Sequence, residues 1–158
     1  MKKIKLLVIA ALICLGASAQ MESGIYATGT VGVQTNGQAI VSAGIHGNIN
    51  NFYSGINVTP AVDGSVLYEA RAGVIMGRSI CAVPYLGYGM EVAPKEFDEN
   101  GTKFSMAAPS RGLSYGLLLT APTAWDKTRF VFAIQSFGGK ATVSAGLKVQ
   151  LTNFAPCY

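Results

Sequence analysis

Charge is scarce in this chain: Asp, Glu, Lys and Arg make up 13% of 158 residues, against 50% hydrophobic residues. The surface of a small soluble domain ordinarily carries roughly a quarter charged side chains or more, so the shortage argues against a domain wetted on every side. Histidine is rarer still, with His46 alone, and the three cysteines form no Cys-x-x-Cys. That supply is too thin for a zinc site or a disulfide-built scaffold, and neither a metal nor a cofactor is expected. No apolar run reaches the roughly 18–20 residues that a membrane-spanning helix requires, and no long segment spaces its apolar residues helically. Gly87-Tyr88-Gly89 lacks the following helix and acid of a nucleotide fingerprint. Nothing forms a specific catalytic motif, and no enzyme activity is expected.

What is present begins with MKKIKLLVIAALICLGASAQ: a basic start, an apolar run over 6–15, then Ala17-Ser18-Ala19. These features read as a secretory signal peptide over 1–19 that is removed on export, leaving 20–158 as one domain. Losing Lys2, Lys3 and Lys5 lowers the formal charge from +4 to +1. The basic character therefore belongs to targeting and gives no support for a nucleic-acid partner. Cys14 leaves with the leader, and Cys81 and Cys157 remain as a candidate disulfide in an oxidising compartment.

Turn signals recur at strand-length intervals through the rest. The pattern predicts strands over 24–35, 38–48, 51–59, 65–76, 79–92, 112–120, 128–136 and 141–154. Asn36-Gly37 is the strongest hairpin signal among the turns; Asp63-Gly64, Gly77-Arg78 and Gly138-Gly139 punctuate the others. Between the fifth and sixth strands lies the longest loop, 93–111, with Lys95, Glu96, Asp98, Glu99, Lys103 and Arg111.

Within the strands, period-two alternation separates two faces. One holds Val31, Val33, Val41, Ile45, Phe52, Ile56, Tyr68, Leu86, Phe130, Phe132, Val143 and Leu147, and carries no charge. The other collects His46, Glu69, Arg71, Glu91, Arg129 and Lys148, with Gln34, Asn57, Gln135, Gln150 and many glycines. Parity alone leaves open which face is inside: a soluble barrel with an apolar, ligand-holding cavity would bury the first set. The sparse charge favours the inverse, an apolar band toward lipid and a narrow lumen of paired polar side chains. Tyr26, Phe52, Tyr68, Tyr88 and Phe130, toward strand ends, then fall where an interfacial aromatic girdle belongs.

The fold class expected is all-β, an eight-stranded antiparallel up-and-down transmembrane β-barrel. Over most of residues 24–154 the chain resembles the small bacterial outer-membrane β-barrels of the outer-membrane protein A and X types, a resemblance of pattern and not of signature residues. It implies a location in the outer membrane of a Gram-negative bacterium, termini in the periplasm and the 93–111 loop at the cell surface. There the loop's charges would meet lipopolysaccharide, ions or a protein partner; the barrel itself would be monomeric. Barrels of this group end on an outward aromatic, whereas Phe154 falls in the polar parity; a bulge near Asn153 would restore the phase, with Tyr158 as the terminal aromatic.

The polar face raises two chemical questions. His46 is placed to act on Ser42 with Glu69 orienting it, but a lumen-facing site has no access to lipid, so a structural histidine paired with Glu69 and Arg71 is expected. Glu69 and Arg71, two apart on one strand, read either as a gate in a small-solute channel or as lumen filling. The width of an eight-stranded barrel favours filling and no open pore.

Overall fold

The computed structural model describes residues 23–77, 79–95, 105–106 and 108–154; the expected leader lies outside them. Eight long strands make up the wall: β1 (Gly24–Gln34), β2 (Ala39–Ile49), β3 (Phe52–Pro60), β4 (Val66–Val74), β5 (Cys81–Val92), β6 (Ser110–Pro122), β7 (Thr128–Phe137) and β8 (Lys140–Asn153). Each pairs antiparallel with its neighbours in sequence, and β1 pairs β8 from Gly24↔Asn153 to Gln34↔Thr142, so the sheet closes on itself. This is an all-β, closed, eight-stranded, up-and-down barrel with no free edge.

The predicted strands lie close to these bounds because the turn residues are where the chain reverses. Three differences are informative. Beyond the buried Ile75, the short piece Met76–Gly77 continues the pairing of β4 with β5. Past the fifth strand, pairing of Pro94–Lys95 with Ser105–Met106 extends the hairpin into what the sequence suggests is open loop. β6 starts at Ser110, so Arg111 stands in a strand opposite Met90 instead of in the loop, and is exposed.

The apolar parity faces outward. Val31, Phe52, Ile56 and Leu86 are each more than 60% exposed, whereas His46, Glu69 and Lys148 each retain 3%. The arrangement with the apolar set inside is not the one adopted. Tyr26 corrects the expected girdle: it is buried within the barrel, while Phe52, Tyr68, Tyr88 and Phe130 are exposed on the outer face. The lumen is also less uniformly polar than the alternation suggests. Val83, Leu118, Val131 and Ala133 are buried in the inward parity of β5 to β7, interleaved there with Ser114, Thr120 and Gln135.

A register shift opposite Ile25 and Tyr26 leaves Leu151 as an extra residue in β8. This bulge sits two residues before the expected one and has the expected consequence. Thr152 then pairs Ile25, and Phe154, whose amide donates to the Ser23 carbonyl at 2.8 Å, returns to the outward parity. Tyr158 lies outside the described residues.

Close packing inside so small a barrel depends on glycine opposite large side chains. Tyr85 faces Gly116 across the β5–β6 pair. A Cβ at Gly116 would meet the Tyr85 hydroxyl at 2.5 Å and the Ile134 carbonyl oxygen at 2.4 Å. We therefore expect Gly116→Leu to destabilise the barrel by about 1–3 kcal/mol through overpacking, read as a lower urea midpoint in detergent. Gly29→Ala, where a Cβ meets nothing within 4 Å, should leave the midpoint unchanged.

At the β3–β4 turn the Asp63 carboxylate accepts from the Ser65 hydroxyl at 2.6 Å and the Ser65 amide at 2.9 Å. The Ser65 hydroxyl, helped by Gln38 and then the Ser65 amide, holds this carboxyl below its ordinary pKa. A depressed carboxyl contributes stability that is complete above the unfolded value, about 3.9, and lost as pH falls through the lower folded one. Asp63→Ala should accordingly lower the urea midpoint at neutral pH, and the difference from wild type should vanish in strong acid.

Candidate functional site

The barrel interior holds the chemistry-bearing side chains. Arg71 Nη2 on β4 donates to Glu69 Oε2 at 2.5 Å and to Gln135 Oε1 on β7 at 2.6 Å. Gln135 Nε2 donates to the same Glu69 oxygen at 2.8 Å, closing a triangle across the lumen. With its amide turned so that oxygen meets donors, Asn57 Oδ1 accepts from the Ser42 hydroxyl at 2.7 Å and lies 3.0 Å from Arg71 Nη2, and Nδ2 donates to the Ala43 carbonyl at 3.1 Å. Thr59 donates to Ser42 Oγ at 3.1 Å beside it. The network thus ties β2, β3, β4 and β7 together, with the guanidinium carbon of Arg71 4.8 Å from the centroid of the Tyr85 ring.

A second group lies beside the first. His46 Nδ1 and the Tyr53 hydroxyl are 2.7 Å apart, so the partner of His46 is Tyr53 and not Glu69 or Arg71. Gly55, opposite His46 on β3, leaves the imidazole its space: a Cβ there would lie 2.4 Å from Nδ1. Lys148 Nζ sits 4.2 Å from the centroid of Tyr26 and 5.9 Å from that of Tyr53, a cation held against two π faces.

Four of the six expected lumen residues, His46, Glu69, Arg71 and Lys148, are therefore buried inside the barrel. Glu91 and Arg129 are placed at opposite ends. Glu91 accepts from Lys140 at 2.7 Å in a partly exposed pair, and the Arg129 guanidinium donates to the Ser79 carbonyl. Tyr53, Tyr85 and Gln135 are the contributors that sequence reasoning did not single out as partners, although each shares the inward parity of a strand. Cys81 is fully buried, with Sγ 3.7 Å from the Gly77 carbonyl oxygen; Cys157 lies outside the described residues, as do Glu96, Asp98, Glu99 and Lys103. Lys95 falls in the short ribbon that extends the hairpin.

This geometry is that of a brace. Ser42 is engaged with Thr59 and Asn57, and His46 with Tyr53, so no His46–Ser42 hydrogen bond is formed. The cavity remaining between these side chains is about 20 Å³, room for about one water molecule. Removing one partner of a buried ion pair strands the other. Arg71→Met should cost about 3–5 kcal/mol in urea unfolding, and the double substitution Glu69→Leu with Arg71→Met should cost less than the single one, because apolar replacement of both partners leaves no uncompensated charge.

No protein-family model and no curated protein matches the chain. Among solved structures, one described as "De novo design of transmembrane beta-barrels" superposes with a TM-score of 0.62 at 12% identity, over 85% of this chain and 100% of that one. At that identity the likeness is one of fold, and the fold this chain shares is the closed eight-stranded barrel of a transmembrane design.

Proposed function

We propose that the protein is an exported outer-membrane β-barrel of a Gram-negative bacterium, without catalytic activity, that serves a structural or surface-interaction role. The carrying observation is the inversion of the wall: large apolar side chains such as Phe52, Ile56, Leu86 and Leu113 stand exposed around the outside while the Glu69–Arg71 pair is buried within. Water outside would leave that band uncovered; hydrocarbon covers it at no cost. Strands of 9 to 14 residues suit a bilayer crossing by tilted strands, for which about 9–11 suffice. No helix among the described residues is long and apolar enough to cross a membrane. The signal-like leader supports export.

The filled lumen favours display over transport. Hairpin ends at Asn36-Gly37, Asp63-Gly64 and Gly138-Gly139 lie on one end of the barrel with the long connection between β5 and β6. Under the orientation the family resemblance implies, that end faces outward from the cell. The connection's Glu96, Asp98, Glu99 and Lys103 are the charges available to lipopolysaccharide or a protein partner.

Envelope fractionation with unboiled and boiled gel samples tests the reading. A band in the outer-membrane fraction that shifts on boiling is expected; release into plain buffer without a shift would overturn it. Ile56→Arg, at mid-strand on the outer face, should cost about 2–4 kcal/mol in lipid. Planar bilayers should show no sustained conductance. Deleting 96–104 should preserve the gel shift and remove binding to lipopolysaccharide micelles; undiminished binding would dismiss the display role.

A further inference from the structure

Lys148 is the lumen charge that the network leaves over. Glu69 and Arg71 neutralise each other, and His46 is held by Tyr53 through Nδ1. Lys148, 3% exposed, contacts two aromatic rings but makes no hydrogen bond with any described residue. A π face offers an ammonium attraction without accepting its hydrogens in the manner of an oxygen or an anion.

The small cavity beside it is lined by several groups that can donate and by no carboxylate. Thr28, Thr120, His46, Arg71 and Lys148 all line it, and Glu69 does not. Thr28 Oγ1, Thr120 Oγ1 and Arg71 Nε are buried without a hydrogen-bond partner. Thr28 is paired with Lys148 in the β1–β8 register, so the two side chains leave the wall side by side. Were Tyr53 the donor to Nδ1, the imidazole hydrogen would sit on Nε2 and add one more. Buried polar groups without hydrogen-bond partners and a buried cation without a salt-bridge partner are each costly.

We propose that the lumen binds one monovalent inorganic anion of halide size, held against the Lys148 ammonium by the Thr28 and Thr120 hydroxyls. A protonated Lys148 favours an anion over a water molecule, since an anion supplies the counter-charge that no salt bridge among the described residues gives it. The cavity of about 20 Å³ limits the ligand to a single small ion and excludes carboxylates and phosphates. The site depends on the sealed lumen, and its failure would leave the membrane reading untouched.

The test is urea unfolding of the refolded barrel in detergent at constant ionic strength, replacing sodium gluconate stepwise by sodium bromide. A ligand that binds only the folded state raises the midpoint saturably; wild type should show that rise, Lys148→Met should lose it, and Thr120→Val should weaken it. Crystals grown in bromide should show an anomalous peak at the bromine edge in the lumen next to Nζ. If Lys148→Met fails to fold, Thr120→Val and the anomalous map decide. A midpoint indifferent to bromide with no lumen peak overturns the proposal, as does an equal bromide response in all three proteins.

Discussion

Eight antiparallel pairings return to their starting strand, so every wall strand of the closed sheet has a hydrogen-bonded neighbour on both sides. Closure removes the sheet edge, and with it the site where another chain would pair. It also fixes which residues share a face. Alternation then sends each side chain to one of two solvents, so the exposed Ile45 and the buried His46 stand side by side in the chain and face opposite environments. The bulge at Leu151 is the one place on β8 where the alternation is reset, and it lies where the chain leaves the barrel.

Eight strands enclose a space just wide enough for side chains, and the filling is asymmetric. Toward β2 to β4 the interior carries Ser42, His46, Asn57, Glu69 and Arg71; toward β5 to β7 it carries Val83, Leu118, Val131 and Ala133. Tyrosines mediate between the halves, because an aromatic ring buries apolar area while its hydroxyl reaches a polar partner. Tyr53 meets His46 through its hydroxyl, and the Tyr85 ring lies under the Arg71 guanidinium. Glycine on the facing strand, as at Gly55 and Gly116, supplies the depth that these large side chains need.

The strand order, the turns and the two faces were legible because period two and Asn-Gly or Gly-Gly signals are local, and a residue such as Val33 or Phe132 declares its side through its immediate neighbours. Partnerships across the lumen were not. Arg71 and Gln135 are 64 residues apart, and nothing in either strand says how far the barrel staggers and hence which rungs meet. His46 illustrates the limit: its inward direction followed from alternation, whereas its partner followed from the β2–β3 register that sets it near Tyr53. Tyr26 misled because an aromatic near a strand end suits an interface equally well, and only its parity, shared with Thr28 and Thr30, places it inside.

Stagger is what the buried polar network controls. A slip of one residue between neighbouring strands would turn an entire apolar outer face into the lumen, so alternation alone forbids it. A slip of two keeps every side chain on its proper face, and the apolar band cannot detect it. The network can: such a slip between β6 and β7 would carry Gln135 along the strand by nearly 7 Å, beyond reach of the Arg71–Glu69 pair that it now meets at 2.6 and 2.8 Å. It would also strand a buried charge pair without its third member. The Tyr85–Gly116 pair acts similarly between β5 and β6, since shifting by two would set the ring against Leu118 or Ser114. In a wall whose outer surface is mostly apolar, the specification of one barrel among its shifted relatives falls to the few polar and glycine positions inside.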